Sequence, residues 1–227
     1  MWYILLMKVI VSAAISVDGY LNDISPERLV LSSPEDWEEV RKIRSECDAI
    51  LVGAETIRKD NPSLVTHSEK FIKQRKKRGK CTDPIKVTIT TSGNISPESN
   101  FFTKGNCEKI VYCTNSIDKQ KYEELKKVSI VKKFENGKIT AQQIINDLES
   151  RGVKSLLVEG GSSILTMFFT ENVVDEFRLA VAPFFVGEEN APRLVHPEIF
   201  PFNKDKRMTL EKTKVLGDVA VLYFKLK

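Results

Sequence analysis

The chain has 227 residues, of which 41% are hydrophobic and 29% are charged, so it can bury a core and is neither disordered nor fibrous. Its formal net charge of +4 is too small to require nucleic acid as a partner, although it suits an anionic small ligand. The four cysteines lie far apart and only two histidines are present, so the sequence predicts neither a metal site nor a disulfide framework.

The chain opens on an apolar run, residues 1–7, which no basic segment precedes and which Lys8 interrupts. A signal peptide has a basic region before its apolar stretch, and a membrane span needs about 20 apolar residues. We therefore expect a cytoplasmic protein without a membrane partner.

Short apolar runs that end at glycine, proline or charged residues predict a series of strands. These runs lie at 8–15, 48–53, 85–90, 109–113, 129–133, 156–158 and 174–185. Helical patterns separate most of them. One begins with Ser33 as N-cap and Pro34 at its first position, and another begins with a capping box of Thr140 and Gln143. Alternating strands and helices with short joints predict an α/β, three-layer protein with a mainly parallel sheet.

The last part of the chain has a different pattern. Residues 188–207 are rich in loop signals, and 208–215 and 219–225 have the pattern of two strands joined by a turn at Gly217 and Asp218. Such a C-terminal antiparallel hairpin would make the sheet mixed. No linker, repeat or low-complexity segment interrupts the chain, so we expect one domain over residues 1–227.

Two predicted strands end at glycines that open into helices. The first ends at Gly53, and the second ends at E-G-G, residues 159–161, followed by Ser162 and Ser163, which can cap the next helix. Ligands bind at the carboxyl ends of strands in α/β sheets, and the N–H groups at a helix start attract phosphate. A plain strand-to-helix turn is the alternative interpretation of such a corner.

Residues 67–84 are polar and strongly basic, with the run K-Q-R-K-K-R-G-K at 73–80. No aromatic residues interleave with this run, so a solvated helix or a mobile loop is the better interpretation. We expect no nucleic-acid partner, with association through residues 73–80 as the alternative.

Six short motifs stand in order along the chain: S-V-D-G at 16–19, S-S-P-E-D at 32–36, R-S-E-C-D-A-I-L-V-G-A-E-T at 44–56, D-N-P-S-L at 60–64, L-L-V-E-G-G at 156–161 and V-D-E-F-R-L-A-V-A-P at 174–183. Together they resemble the RibD C-terminal family of riboflavin biosynthesis reductases over residues 9–223. The resemblance implies a dihydrofolate reductase-like fold in a single reductase domain, NADPH as hydride donor, and a homodimer. It also implies hydride transfer to the ribosyl C1 of a pyrimidine ribosyl phosphate, either 2,5-diamino-6-ribosylamino-4(3H)-pyrimidinone 5′-phosphate or 5-amino-6-ribosylamino-uracil phosphate.

Carried over by position, the resemblance also implies site residues. Those expected to bind the cofactor are Ala14, Gly53, Thr56, Asp60, Thr91, Gly160, Gly161, Ser162 and Ser163. Those expected to face the substrate are Arg44, Leu64 and Glu159. Asp60 and Glu159 are the candidate catalytic residues, because either could orient the substrate or help to move a proton. Arg44 could grip a substrate phosphate with two parallel hydrogen bonds, or it could pair with Glu46 or Asp48 on the surface.

Three positions depart from the family pattern. Tyr20 stands where the family commonly has Lys or Arg, Asn61 replaces the second aspartate of D-D-P, and His67 replaces an arginine that would help to bind the substrate phosphate. Histidine is only partly charged near neutral pH. These departures leave two alternatives open, a family member that reduces a different heterocyclic substrate and a nucleotide-binding module without turnover. The residues alone do not decide between NADPH and NADH as the cofactor, because they identify no basic side chain that would bind a 2′-phosphate.

Overall fold

The computed structural model describes residues 7–135 and 137–227. The apolar run that opens the chain therefore lies outside the described residues, except for Met7. Each of the described helices is too short or too polar to cross a lipid bilayer.

The described strands form one sheet. In chain order they are β1 (Lys8–Ser16), β2 (Ala49–Gly53), β3 (Ile85–Ile89), β4 (Lys109–Thr114), β5 (Ile130–Phe134), β6 (Ser155–Val158), β7 (Glu176–Ala182), β8 (Thr209–Leu216) and β9 (Val219–Lys225). Their order across the sheet is β5-β4-β3-β2-β6-β1-β7-β9-β8. Strands β1 to β7 run parallel, and β9 pairs antiparallel with β7 and with β8. The prediction of a mainly parallel, mixed sheet with a C-terminal hairpin is confirmed.

Helices cover both faces of this sheet. They are α1 (Pro34–Glu46), α2 (Ala54–Asp60), α3 (Glu69–Lys77), α4 (Asn100–Thr103), α5 (Lys119–Lys126), α6 (Ala141–Ser150) and α7 (Ser162–Thr170). Successive strand residues point to opposite faces, so the core forms two large clusters, and a third, small cluster of Ala180, Val219 and Val221 lies at the C-terminal hairpin. Ile50 packs in one cluster with Ile57 of α2 and Leu125 of α5, whereas Leu51 packs in the other with Ile144 of α6. The result is the expected three-layer arrangement.

The predicted helix starts are present. The Ser33 side chain accepts a hydrogen bond from the Asp36 N–H at 3.1 Å, with Pro34 at the first helical position. Thr140 and Gln143 form the reciprocal capping box at the start of α6. These caps satisfy N–H groups that a helix leaves without an internal partner.

The basic segment forms helix α3, one of the two structures expected for it. Its Arg75 is not solvated, however, because it is only 2% exposed. The guanidinium donates to the carbonyl oxygens of Ser45 at 3.0 Å, Cys47 at 2.6 Å and Cys81 at 2.7 Å. Arg75 therefore ties α3 to the end of α1, a role that the surrounding run of exposed cations concealed.

Some boundaries differ from the prediction. The strand expected at 174–185 is shorter, since β7 ends at Ala182, before Pro183, which has no N–H to donate to a neighbouring strand. The short helix α4 lies in a stretch that the sequence pattern left unassigned.

The register of the parallel strands determines where the two glycine corners lie. Val158 pairs with Val11 on one side and with Leu51 on the other, so the carboxyl ends of β1, β6 and β2 are neighbours. Strand β3 lies on the far side of β2, with Ile89 opposite Gly53. The corners that follow β2 and β6 therefore meet at one edge of the sheet.

Candidate active site

The two glycine corners are in direct contact. The Gly53 N–H donates to the Gly160 carbonyl at 2.8 Å, and the Glu159 N–H donates to the Leu51 carbonyl at 3.0 Å. A Cβ atom placed on Gly53 would lie 3.4 Å from the Gly161 nitrogen and 3.5 Å from the Gly160 carbonyl oxygen, so the two corners are in van der Waals contact. This contact joins the start of α2 to the start of α7.

The start of α7 offers a cradle of backbone donors, which we call the N–H cradle and define as residues 160–163. Within the described residues, none of these four N–H groups has a protein acceptor. A Cβ built on Gly161 meets no atom within 4 Å, so the space beside it is open. The peptide bond between Gly160 and Gly161 is cis. Free N–H groups at a helix start, beside open space, suit an anionic group such as a diphosphate.

Ser162 and Ser163 do not cap α7 as the sequence suggested. The N-cap is Gly161, and no side chain accepts a hydrogen bond there. The Ser162 hydroxyl donates instead to the Arg193 carbonyl, and the Ser163 hydroxyl lies 3.0 Å from Nε2 of His196. Both hydroxyls are engaged with the loop between β7 and β8. The donors that the N–H cradle can offer a ligand are therefore its backbone N–H groups.

The other residues expected to bind cofactor lie along the same edge. Ala14 is half-buried near the end of β1, Thr56 is half-buried on the first turn of α2, and Thr91 is exposed just after β3. The structure therefore brings these three residues to the ends of neighbouring strands, and their contact with a cofactor stays a prediction.

Arg44 and Glu159 form the strongest ion pair of the site. Nε and Nη2 of Arg44 donate to the two carboxylate oxygens of Glu159, each at 2.7 Å. Burial disfavours the charged form of Arg44, but the charge and hydrogen bonds of Glu159 outweigh this and raise the Arg44 pKa. Arg44 thus pairs with neither Glu46 nor Asp48. The expected bidentate grip on a substrate phosphate would require this pair to open.

A tryptophan and a second arginine lie next to this ion pair. Together with Asp60, these residues form a charged wall, which consists of Arg28, Trp37, Arg44, Asp60 and Glu159. Two guanidinium groups lie over the Trp37 ring, with Cζ of Arg28 at 4.8 Å and Cζ of Arg44 at 5.6 Å from its centre. Nε of Arg28 is 3.9 Å from Oδ2 of Asp60. The sequence indicated Trp37 only as part of the apolar face of a helix, and Arg28 lies in a stretch without any periodic signal.

Asp60 ends α2 and is a half-buried carboxyl group. Burial raises the pKa of Asp60 above its ordinary value, and the positive charges of Arg28 and Lys59 offset only part of that effect. Leu64, expected to face the substrate, is 2% exposed and has a positive φ of 49°. Its side chain packs in the same core cluster as Ile57, and its backbone turns sharply there, so contact of Leu64 with a substrate stays a prediction.

The three departures from the family pattern have structural partners. The Asn61 side chain accepts a hydrogen bond from the Asn100 N–H at 2.7 Å, so it fastens α2 to α4. His67 is exposed, and its Nε2 is 3.4 Å from the Ser63 hydroxyl. Tyr20 is buried and accepts a hydrogen bond at 2.8 Å from Nη2 of Arg193, whose guanidinium also stacks on its ring. A cation therefore lies beside position 20 although position 20 itself is neutral.

Neighbouring strand ends that join an open N–H cradle to acids and guanidinium groups are typical of an α/β enzyme that binds an anionic ligand. Among residues 7–135 and 137–227, no cluster of three or more His, Cys, Asp or Glu is arranged to hold a metal ion. The chain belongs to the RibD C-terminal domain family, whose profile matches residues 7–222.

Two relatives and one solved structure illustrate the similarity. The chain is 30% identical over 210 residues to 2,5-diamino-6-ribosylamino-4(3H)-pyrimidinone 5′-phosphate reductase of Archaeoglobus fulgidus, covering 92% of this chain and 94% of the relative. It is 34% identical over 197 residues to the reductase of the same name from Aquifex aeolicus, covering 85% and 84%. A pyrimidine reductase-like protein from Corynebacterium diphtheriae superposes with a TM-score of 0.81 at 21% identity, covering 96% of this chain and 91% of that one. This last similarity supports the dihydrofolate reductase-like fold.

Proposed function

We propose that this protein is an NADPH-dependent reductase of a ribosylamino-pyrimidine 5′-phosphate. The observation that carries the proposal is the contact between the two glycine corners, which sets the N–H cradle beside Glu159 and its partner Arg44. Asp60 ends the helix that starts at the first corner, and Arg28 and Trp37 link it to Arg44. The two relatives named as pyrimidinone phosphate reductases support the substrate class.

The residues of the edge fit a dinucleotide. Gly161 leaves room where a side chain would collide with a phosphate, and the N–H cradle offers donors without protein acceptors in the described residues. The bound cofactor supplies a hydride, which reduces the C=N bond at C1 of the ring-opened glycosylamine while the nitrogen takes up a proton. The protein must then orient two ligands, exclude water and provide that proton.

Asp60 is the better candidate for moving the proton. Burial raises its pKa, which is the direction that a proton donor near neutral pH requires. Both oxygens of Glu159 already accept hydrogen bonds from Arg44, an arginine whose raised pKa keeps it charged. Glu159 is therefore suited to orient amino groups of a pyrimidine, and Asp60 to protonate the substrate.

Arg28 is the candidate for binding the substrate phosphate. It lies next to Asp60 on a loop, and about half of its side chain is exposed, so the guanidinium can turn toward a ligand. Arg44 is already paired and His67 carries at most a partial charge, so Arg28 offers a permanent charge beside Asp60.

An absorbance assay tests the function directly. Purified protein should oxidise NADPH when 2,5-diamino-6-ribosylamino-4(3H)-pyrimidinone 5′-phosphate is added, and mass spectrometry should show a product heavier by two hydrogen atoms. Binding of NADPH without oxidation by this compound or its uracil counterpart would favour the alternatives, a different heterocyclic substrate or a module without turnover. Absence of NADPH binding would refute the proposal.

The proposal includes a homodimer, which rests on the family resemblance. Light scattering should give twice the mass of one chain, and a monomer at micromolar concentration would contradict this part. A cytoplasmic location and the absence of a nucleic-acid partner stay predictions from the sequence.

A further inference from the structure

Part of the loop between β7 and β8, residues 192–196, lies across the start of α7. The His196 N–H donates to Oγ1 of Thr166 at 2.9 Å, which fixes this segment to the helix. On its other side, the Leu194 N–H donates to the Gly19 carbonyl at 3.1 Å, which fixes it to the turn after β1. The segment is therefore held between two parts of the candidate site.

The ring of His196 lies beside the N–H cradle. Its Nε2 is 3.0 Å from Oγ of Ser163, and the N–H of Ser163 is one of the donors of the cradle. Both side chains are exposed, so a ligand at the cradle can reach them. An anion that accepts a hydrogen bond from the Ser163 N–H would therefore lie close to the imidazole ring.

A positive charge on this ring would have no counter-ion from the protein. Within the described residues, His196 forms no salt bridge, and Glu198, two residues further on, is exposed. The side chains of α7 that His196 meets, Ser163 and Thr166, are neutral, and Arg193 in its own segment is a second cation. The positive end of the α7 dipole also disfavours a cation there until an anion binds.

Protonation of the ring changes what Ser163 can offer. A neutral imidazole can accept a hydrogen bond from the Ser163 hydroxyl, whereas a protonated imidazole can only donate to it. The protonated ring therefore leaves the hydroxyl proton of Ser163 free for a ligand, and it adds a positive charge beside the cradle. Histidine titrates near neutral pH, at about 6.5, so a small change of pH alters both properties.

We propose that His196 makes binding of the cofactor diphosphate at the N–H cradle dependent on pH, through its charge and through the Ser163 hydroxyl. This inference rests on the proposed function, because it needs a dinucleotide on the cradle. The affinity for NADPH should rise as pH falls through about 6.5, since the protonated ring favours the bound anion. By the same linkage, binding of NADPH should take up a proton.

Nicotinamide fluorescence tests the inference without turnover. At about pH 6 the wild type should bind NADPH about 5- to 10-fold more tightly than His196→Gln, and at about pH 8 the two affinities should agree within about 2-fold. The ratio of the two affinities is the measure, because titration of the cofactor phosphates affects both proteins equally. His67→Gln removes the other histidine of the chain and should follow the wild type at both pH values.

A second variant and a second readout separate the outcomes. Ser163→Ala keeps the histidine but removes the hydroxyl, so it should lose part of the affinity gained at low pH; full wild-type affinity there would refute the role of Ser163. Calorimetry in two buffers with different heats of ionisation should show more proton uptake by the wild type than by His196→Gln. A wild-type protein that binds NADPH with the same affinity as His196→Gln at both pH values would refute the inference and leave the proposed function standing. Absence of NADPH binding by the wild type would refute both.

Discussion

Substituting alanine at the two adjacent glycines of the N–H cradle should have opposite effects on stability and on binding. Gly160 has a φ of 94°, which an L-residue disfavours, whereas Gly161 has a φ of −78°, which alanine adopts freely. Gly160→Ala should therefore lower the free energy of unfolding by about 1–2 kcal/mol. Gly161→Ala should change it by no more than about 0.5 kcal/mol, since its Cβ meets no atom within 4 Å.

NADPH affinity should follow the opposite order: Gly161→Ala should lose more affinity than Gly160→Ala, although it loses less stability. The Cβ of Gly161→Ala enters the space where a phosphate would contact the N–H cradle, and each hydrogen bond to a charged group is worth about 1.5–3 kcal/mol. Loss of one such bond weakens NADPH binding by about 10- to 100-fold. Gly161→Val, which fills more of the same space, should weaken binding further without unfolding the chain.

Two measurements are sufficient, urea unfolding for stability and nicotinamide fluorescence for NADPH affinity. Gly160→Ala should bind NADPH at low urea with a smaller loss than Gly161→Val and should unfold at lower urea. Wild-type NADPH affinity in a folded Gly161→Val protein would show that no phosphate lies over Gly161, and the cofactor placement would fail.

Three further variants test other parts of the molecule. Asp60→Asn should lower kcat by about 100-fold or more and abolish the loss of activity toward alkaline pH. The Asp60 pKa is raised in the folded state, so ionisation of Asp60 lowers the free energy of unfolding as pH rises. Asp60→Asn should therefore be at least as stable as wild type in urea at neutral pH. Lower stability would contradict the direction of the pKa shift. Arg75→Met should lose about 3 kcal/mol of unfolding free energy in urea, whereas exposed Arg78→Met should stay within about 0.5 kcal/mol, and equal losses would refute the role of the buried bonds. Arg28→Met should raise KM for the phosphorylated pyrimidine about 10-fold without changing KM for NADPH, while Arg41→Met should change neither; an unchanged substrate KM would refute the phosphate contact.

The frame of the site follows from local sequence signals. Apolar runs closed by glycine predicted β2 and β6, and parallel strands put their carboxyl ends at one edge. The sequence did not state that the two strands are adjacent, because strand order depends on packing across the whole chain. The contact between Gly53 and Gly160 therefore became visible only in the folded structure.

The charged wall could not be predicted in the same way. Arg44 and Glu159 are separated by 115 residues, and neither position shows which partner the other will find. The sequence offered Glu46 and Asp48 as nearer partners for Arg44, but helix α1 directs this side chain toward the end of β6 instead. Arg28 has no periodic neighbours at all. Its position depends on how the loop after β1 folds over Trp37.

At one of the departures from the family pattern, a positive charge comes from another part of the chain. Tyr20 lacks the charge common at its position, yet Arg193 from the loop after β7 stacks on it and hydrogen-bonds to its hydroxyl. His67 lacks a permanent charge, and the exposed Arg28 beside Asp60 has one. Both arginines come from loops, which tolerate changes of sequence that the strands beneath them do not. Cofactor contacts from strand ends and substrate contacts from loops would let such a frame keep one hydride donor while the pocket changes its substrate.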